Sequence, residues 1–76
     1  MQERNSISEK TIGETIRFYR QKEGLTQDAL GRMVGVGRSY IAQIERGSKV
    51  PSMYMGKALA EALGCSVADL LKEREG

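Results

Sequence analysis

Histidine is absent from this sequence, and cysteine occurs once, at position 65. No disulfide framework and no Cys/His metal site can therefore be assembled within the chain. Catalysis is disfavoured on related grounds. Without histidine or a metal cluster no set of nucleophile, base and orienting group is apparent, and phosphate-cradling glycine motifs are missing as well. The sequence predicts no metal, no cofactor, no small-molecule effector and no enzyme activity. No apolar run approaches the ~20 residues of a membrane span, and the opening MQERNSISEK lacks the apolar stretch of a signal peptide. These absences predict a cytoplasmic protein without a membrane partner. Strand-period alternation, internal repeats and low-complexity tracts are also missing, which leaves helices to build the fold.

What is present suits one small folded unit. A chain of 76 residues lies near the lower limit at which a single core holds without disulfides or metal, so one domain is expected. Charged residues make up 29% and hydrophobic ones 39%, a globular balance rather than a disordered one. The net charge of +2 says little about partners, but its distribution says more. Between Arg32 and Lys49 four cations (Arg32, Arg38, Arg46, Lys49) stand against one anion, Glu45, while the flanks nearly cancel. Cys65 follows AEALG, where a small apolar residue would be buried. Inert packing is expected there, with a reactive thiol or an inter-chain bond as the alternative.

Helix punctuation divides the chain into five helices. Thr11 and Glu14 have capping-box spacing, so helix 1 is expected from Ile12 to Glu23, with Ile12, Ile16 and Tyr19 on its apolar line and Gly24 as its stop. Thr26 caps a second helix whose apolar face is Ala29, Leu30, Met33 and Val34, ended by Gly35. Val36 is placed to plug the angle before a third helix, Arg38 to Arg46, which Gly47 stops. Ser52, next to Pro51, caps a fourth helix that runs to Gly64; Ser66 and Asp69 open a short fifth through Val67, Leu70 and Leu71. The predicted fold is all-α, a compact five-helix bundle. Phe18 falls off the apolar line of helix 1, and is expected to pack on the N-terminal arm or the last helix, or else to meet a partner.

The third helix carries the informative pattern. At about 100° per residue, Tyr40, Ile41 and Ile44 share one side, and Arg38, Ser39, Ala42, Gln43 and Arg46 share the other. The outer set matches the chemistry of base edges: arginine donates twice to guanine, glutamine pairs with adenine, and an alanine methyl can touch thymine. A solvated surface face would have similar composition, so the pattern alone leaves both readings open.

From Gln27 to Arg46 the chain reads QDALGRMVGVGRSYIAQIER, which resembles the helix-turn-helix of the lambda-repressor and Cro-like (XRE) family. Leu30, Gly31, Val34, Gly35, Val36, Ile41 and Ile44 match that family's structural positions, and the likeness extends over about residues 11 to 71. Gly31 takes the place of the usual alanine where helices 2 and 3 approach. The resemblance implies a helix-turn-helix formed by helices 2 and 3, in a DNA-binding domain over residues 11–72 flanked by flexible segments 1–10 and 73–76. It implies base reading by Arg38, Ser39 and Gln43, with Ala42 beside the bases, and phosphate binding by Gln27, Arg46, Ser48 and Lys49. Tyr40 is expected to pack its ring on helix 2 and turn its hydroxyl to phosphate. Arg20 and Glu45 match a structural ion pair. The implied partner is double-stranded operator DNA bound by a homodimer that regulates transcription, usually as a repressor, with Val67, Leu70 and Leu71 as possible dimer contacts. A protein partner, as for an antitoxin or a bridging factor, is the alternative; Phe18 and the methionines of helix 4 would then form its surface. Two positions depart from the family. Gly37 stands where serine or threonine usually caps the recognition helix, and Gly56 replaces a core leucine whose space Met53 and Met55 are expected to fill.

Overall fold

A computed structural model describes residues 9–71, with side chains from Ile12 onward. The flexible segments expected at the two ends fall mostly outside the described residues. The chain forms five helices in order: α1 Glu9–Lys22, α2 Gln27–Val34, α3 Arg38–Arg46, α4 Met53–Leu63 and α5 Val67–Leu71. Four of the five agree with the residues expected from their caps. In α2 and α4 the Thr26 and Ser52 hydroxyls accept from the amides of Ala29 and Met55 at 2.9 and 3.0 Å. At α5 both halves of the capping box form, Asp69 N–H to Ser66 Oγ and Ser66 N–H to Asp69 Oδ2.

Helix α1 is the exception. It starts at Glu9, so Thr11 lies inside the helix and is not its cap. The helix ends one residue before Glu23, because the chain turns through Gly24 at φ +72°.

The core is a single cluster of Ile12, Ile16, Leu30, Ile41, Ile44, Leu59, Ala60, Leu63 and Leu70, drawn from all five helices. Val36 packs against it from the turn, as its position predicts. Met33 does not belong to it and is 55% exposed. The buried arc of α2 is centred instead on Leu30 and Gly31, because the turn leading into α3 lies directly on Gly31. A Cβ at that residue would be 2.6 Å from the Val36 carbonyl oxygen. The turn itself needs the left-handed conformation of Gly35, at φ +81°.

A second close approach was not anticipated from the sequence. Gly13, in the interior of α1, is buried against the last turn of α3, where a Cβ would overlap the Ile44 carbonyl oxygen and come within 2.8 Å of that of Glu45.

Gly56 does the opposite. Nothing lies within 4 Å of a Cβ built there, and it borders an apolar cleft of about 180 Å³ lined by Ile12, Ile16, Val67, Leu70 and Leu71, among others. Met53 does not fill that space, being 77% exposed; Met55 is half-buried against the core. Gly56→Ala is therefore expected to stabilise the protein by about 1 kcal/mol, through helix propensity with no steric penalty. Thermal unfolding checks this: an unchanged or lowered midpoint would contradict the open space at residue 56.

Cys65 is half-buried against the core cluster. Burial, and then the nearby Asp69 carboxylate, push its thiol above the ordinary value. It therefore stays protonated near neutral pH, which favours packing over reactivity. Phe18 is 58% exposed and meets the Tyr19 ring edge-on, with centroids 5.5 Å apart.

Candidate nucleic-acid interface

The outward face of α3 follows from how the helix is anchored. Ile41 and Ile44 are fully buried, which fixes the helix's rotation and turns the opposite side to solvent. Arg38, Ser39, Ala42, Gln43 and Arg46 together line one shallow hollow of about 190 Å³. These are the five residues expected on the outer side of the wheel. Four of the five have side chains with hydrogen-bonding groups, and the fifth is a methyl at the centre of the row. The helix begins at Gly37, whose extended backbone (φ −84°) provides no side-chain cap, so the amides of the first turn are left open.

A second hollow, of about 320 Å³, adjoins the first through Ala42 and Arg46 and is also lined by Arg17, Arg20, Gln27 and Glu45. Its floor is an ion pair. Arg20 Nε and Nη2 donate to the two Glu45 carboxylate oxygens at 2.6 and 3.0 Å, and Nη1 donates to the Leu25 carbonyl at 2.7 Å. Both side chains are largely buried, 11% and 4% exposed. A bidentate, charge-assisted contact of this kind is the strong form of the interaction, and it joins α1 to the end of α3. Gln27 completes the arrangement, because its Nε2 donates to Glu45 Oε1 at 3.0 Å. That bond orients the glutamine amide from α2 while leaving its second N–H and its carbonyl oxygen outside the pair.

Beyond α3, Lys49 carries its ammonium 6.0 Å from the centroid of the Tyr40 ring, at the outer limit of a cation–π contact. The ring is partly buried against the core cluster. Ser48 uses both its donors internally: its hydroxyl and its amide reach the Gln43 carbonyl at 3.1 and 3.0 Å. It therefore closes the C-terminal turn of α3, with its hydroxyl at an exposed position.

The residues expected at a dimer contact lie around the apolar cleft, which shares no lining residue with either polar hollow. Leu70 is core, 2% exposed, and so is not a surface contact; Leu71 is 39% exposed and Val67 half-buried. Sequence reasoning passed over Arg17, which lines the second hollow. The available signal was its position, one helical turn beyond Gly13 and nearly one before Arg20 on the same helix. Among the described residues no group of His, Cys, Asp and Glu is arranged to hold a metal ion, and no helix is long and apolar enough to cross a membrane.

Comparison with known proteins agrees with this geometry. Repressor protein C2 of Salmonella phage P22 is 42% identical over 66 residues, covering 87% of this chain and 31% of that protein. The immunity repressor protein of Bacillus phage phi105 is 38% identical over 63 residues, 83% of this chain and 44% of that protein. The chain thus spans less than half the length of either phage repressor. The crystal structure of the P22 c2 repressor in complex with a synthetic operator superposes with a TM-score of 0.77 at 46% identity, covering 80% of this chain and 92% of that one. A family model described as helix-turn-helix matches residues 16–70. That span takes in the α2–Gly35–α3 unit and all of the core cluster but Ile12, and the chain belongs to the helix-turn-helix family.

Proposed function

We propose that this protein binds double-stranded DNA in a sequence-specific manner and regulates transcription, as a repressor, by placing α3 in the major groove. The observation that carries this reading is the single surface formed by Arg38, Ser39, Ala42, Gln43 and Arg46. It is supported by the P22 c2 repressor, whose structure contains an operator and whose fold this chain shares. In this reading Arg38, Ser39 and Gln43 read base edges, with Ala42 against them, while Gln27, Tyr40, Arg46 and Lys49 hold phosphates and set the register. Ser48, whose exposed hydroxyl closes the turn before Lys49, joins them at the phosphates. Two copies bind a near-palindromic site with half-sites about one helical turn apart. Their contact runs through the exposed edge of α5 at Val67 and Leu71.

Selecting bound sites from random duplexes tests the reading in one step, because it reports whether DNA is bound, which bases are preferred and whether sites are paired. On a selected duplex, Arg38→Ala is expected to cost about 1–3 kcal/mol and to relax preference at one position, whereas Lys49→Ala weakens all sequences nearly alike. Equal losses for Arg38→Ala on selected and random DNA would remove it from base reading.

A protein partner remains the second reading. The apolar cleft beside Gly56, rimmed by the exposed Val50, Met53 and Leu71, favours it. Such a partner would occupy a surface separate from the α3 face, so an antitoxin-like protein could use both. Failure to select any DNA sequence would leave this reading standing alone.

A further inference from the structure

We propose that Arg17, on α1, binds a backbone phosphate and forms with Arg46 and Gln27 a three-helix clamp at the edge of the recognition surface. The proposal rests on the DNA-binding reading above and extends it to a residue and a helix outside the helix-turn-helix unit.

The argument starts from the charges that line the second hollow. Of its three arginines, Arg20 is consumed by Glu45 and by the Leu25 carbonyl. Glu45 in turn is neutralised by Arg20 and receives Gln27 as well. The charges left over are Arg17 and Arg46, both exposed and, among the described residues, without an ion-pair partner. Two guanidinium groups therefore flank a polar hollow whose only carboxylate is already satisfied. Two positive charges on the lining of one hollow make it attractive to an anion. A phosphate is the anion whose geometry the planar fork of arginine matches.

The placement of Arg17 has its own cause. Gly13 lets α1 approach the α3 backbone at Ile44 and Glu45, and Arg17 follows Gly13 by one turn on the same side of α1. The approach that docks the two helices thus brings Arg17 to the hollow that Arg46 also lines. The hollow adjoins the base-reading surface through Ala42 and Arg46, so an anion held there lies on the strand bordering the bases that α3 reads. Gln27, held by Glu45, offers its remaining amide proton from the third side.

A phosphate contact is independent of sequence, so the test does not require the operator. Binding of a fluorescent random-sequence 30-base-pair duplex is measured for the wild type, Arg17→Ala and Arg17→Lys across a salt series, with thermal unfolding of each. Removing one phosphate contact lowers the slope of log affinity against log salt by about 0.9. The wild-type advantage over Arg17→Ala should therefore shrink about 3.5-fold between 50 and 200 mM salt, at an unchanged unfolding midpoint. Arg17→Lys should keep most of the slope. On a duplex obtained by the selection described above, where the register is fixed, methylphosphonates placed one at a time should include one position that weakens the wild type and leaves Arg17→Ala nearly unaffected. If the wild type binds and Arg17→Ala has the same slope, the clamp is overturned while the DNA-binding reading stands. If the wild type binds no duplex, both are overturned.

Discussion

Replacing Glu45 with alanine is expected to destabilise the protein by about 3–5 kcal/mol, the cost of stranding a buried charge. The Arg20 guanidinium has an 11% exposed side chain and directs two of its nitrogens at the Glu45 carboxylate. Without that carboxylate only the bond to the Leu25 carbonyl remains of the contacts that hold the guanidinium, and a largely buried charge is left without its counter-charge. For a chain of 76 residues, whose whole stability is on the order of 4–11 kcal/mol, this is a large fraction. Urea denaturation measures it directly. The pairing argument also predicts the outcome of a second change: adding Arg20→Met to Glu45→Leu should recover much of the loss, because two apolar side chains of similar size leave no charge behind. If Glu45→Ala costs under 1 kcal/mol, the pair behaves as a surface salt bridge, and the picture of a buried tie is wrong.

The second large effect is at Gly13. Helix propensity alone would make Gly13→Ala favourable by about 1 kcal/mol, as it does at Gly56. At residue 13 the added methyl overlaps the Ile44 carbonyl oxygen and crowds that of Glu45. Both obstacles are main-chain atoms in a hydrogen-bonded helix, so neither can rotate away. The helices must separate instead. Overpacking of this kind costs about 1–3 kcal/mol, and occasionally more; rigid backbone on both sides puts it at the upper end, for a net loss of about 2 kcal/mol. The same substitution at two helix-interior glycines should thus move stability in opposite directions. Parallel thermal melts of Gly13→Ala and Gly56→Ala test this, and midpoints that rise together would refute the close approach. Gly13→Ala should also weaken DNA binding at temperatures where the variant is fully folded, because α3 is displaced along with its outward face.

Most of the fold was legible because its signals are local. Thr26, Ser52 and Ser66 cap the helices they were expected to cap, and the outer face of α3 follows from the spacing of Ile41 and Ile44 alone. The resemblance to the repressor family added the Arg20–Glu45 pair, which is 25 residues apart in sequence and has no local sign. What the sequence hid depends on distance in space. Nothing near Gly13 says that another helix's backbone will press on it. Met33 has the period of a core residue, but the arc turns away from it toward Gly31, because a close backbone approach outweighs one flexible apolar side chain. Met53 was expected to fill the room left by Gly56, but it sits at the first turn of α4 and projects into solvent. The turn that Ser48 closes onto the Gln43 carbonyl likewise has no sign in the sequence. At Thr11 the capping-box spacing misled, because a favourable pair can also occur inside a helix that begins earlier.

The uncapped start of α3 also bears on how such a surface can diverge. Where a serine or threonine would occupy the first-turn amides, Gly37 leaves them open. Those amides belong to the main chain, so exchanges at residues 38 and 39, proline apart, do not remove them. In the DNA-binding reading proposed above, the side chains at these positions can thus change over main-chain donors that stay constant. The donors of that turn and the side chains beside them are therefore set by different parts of the chain.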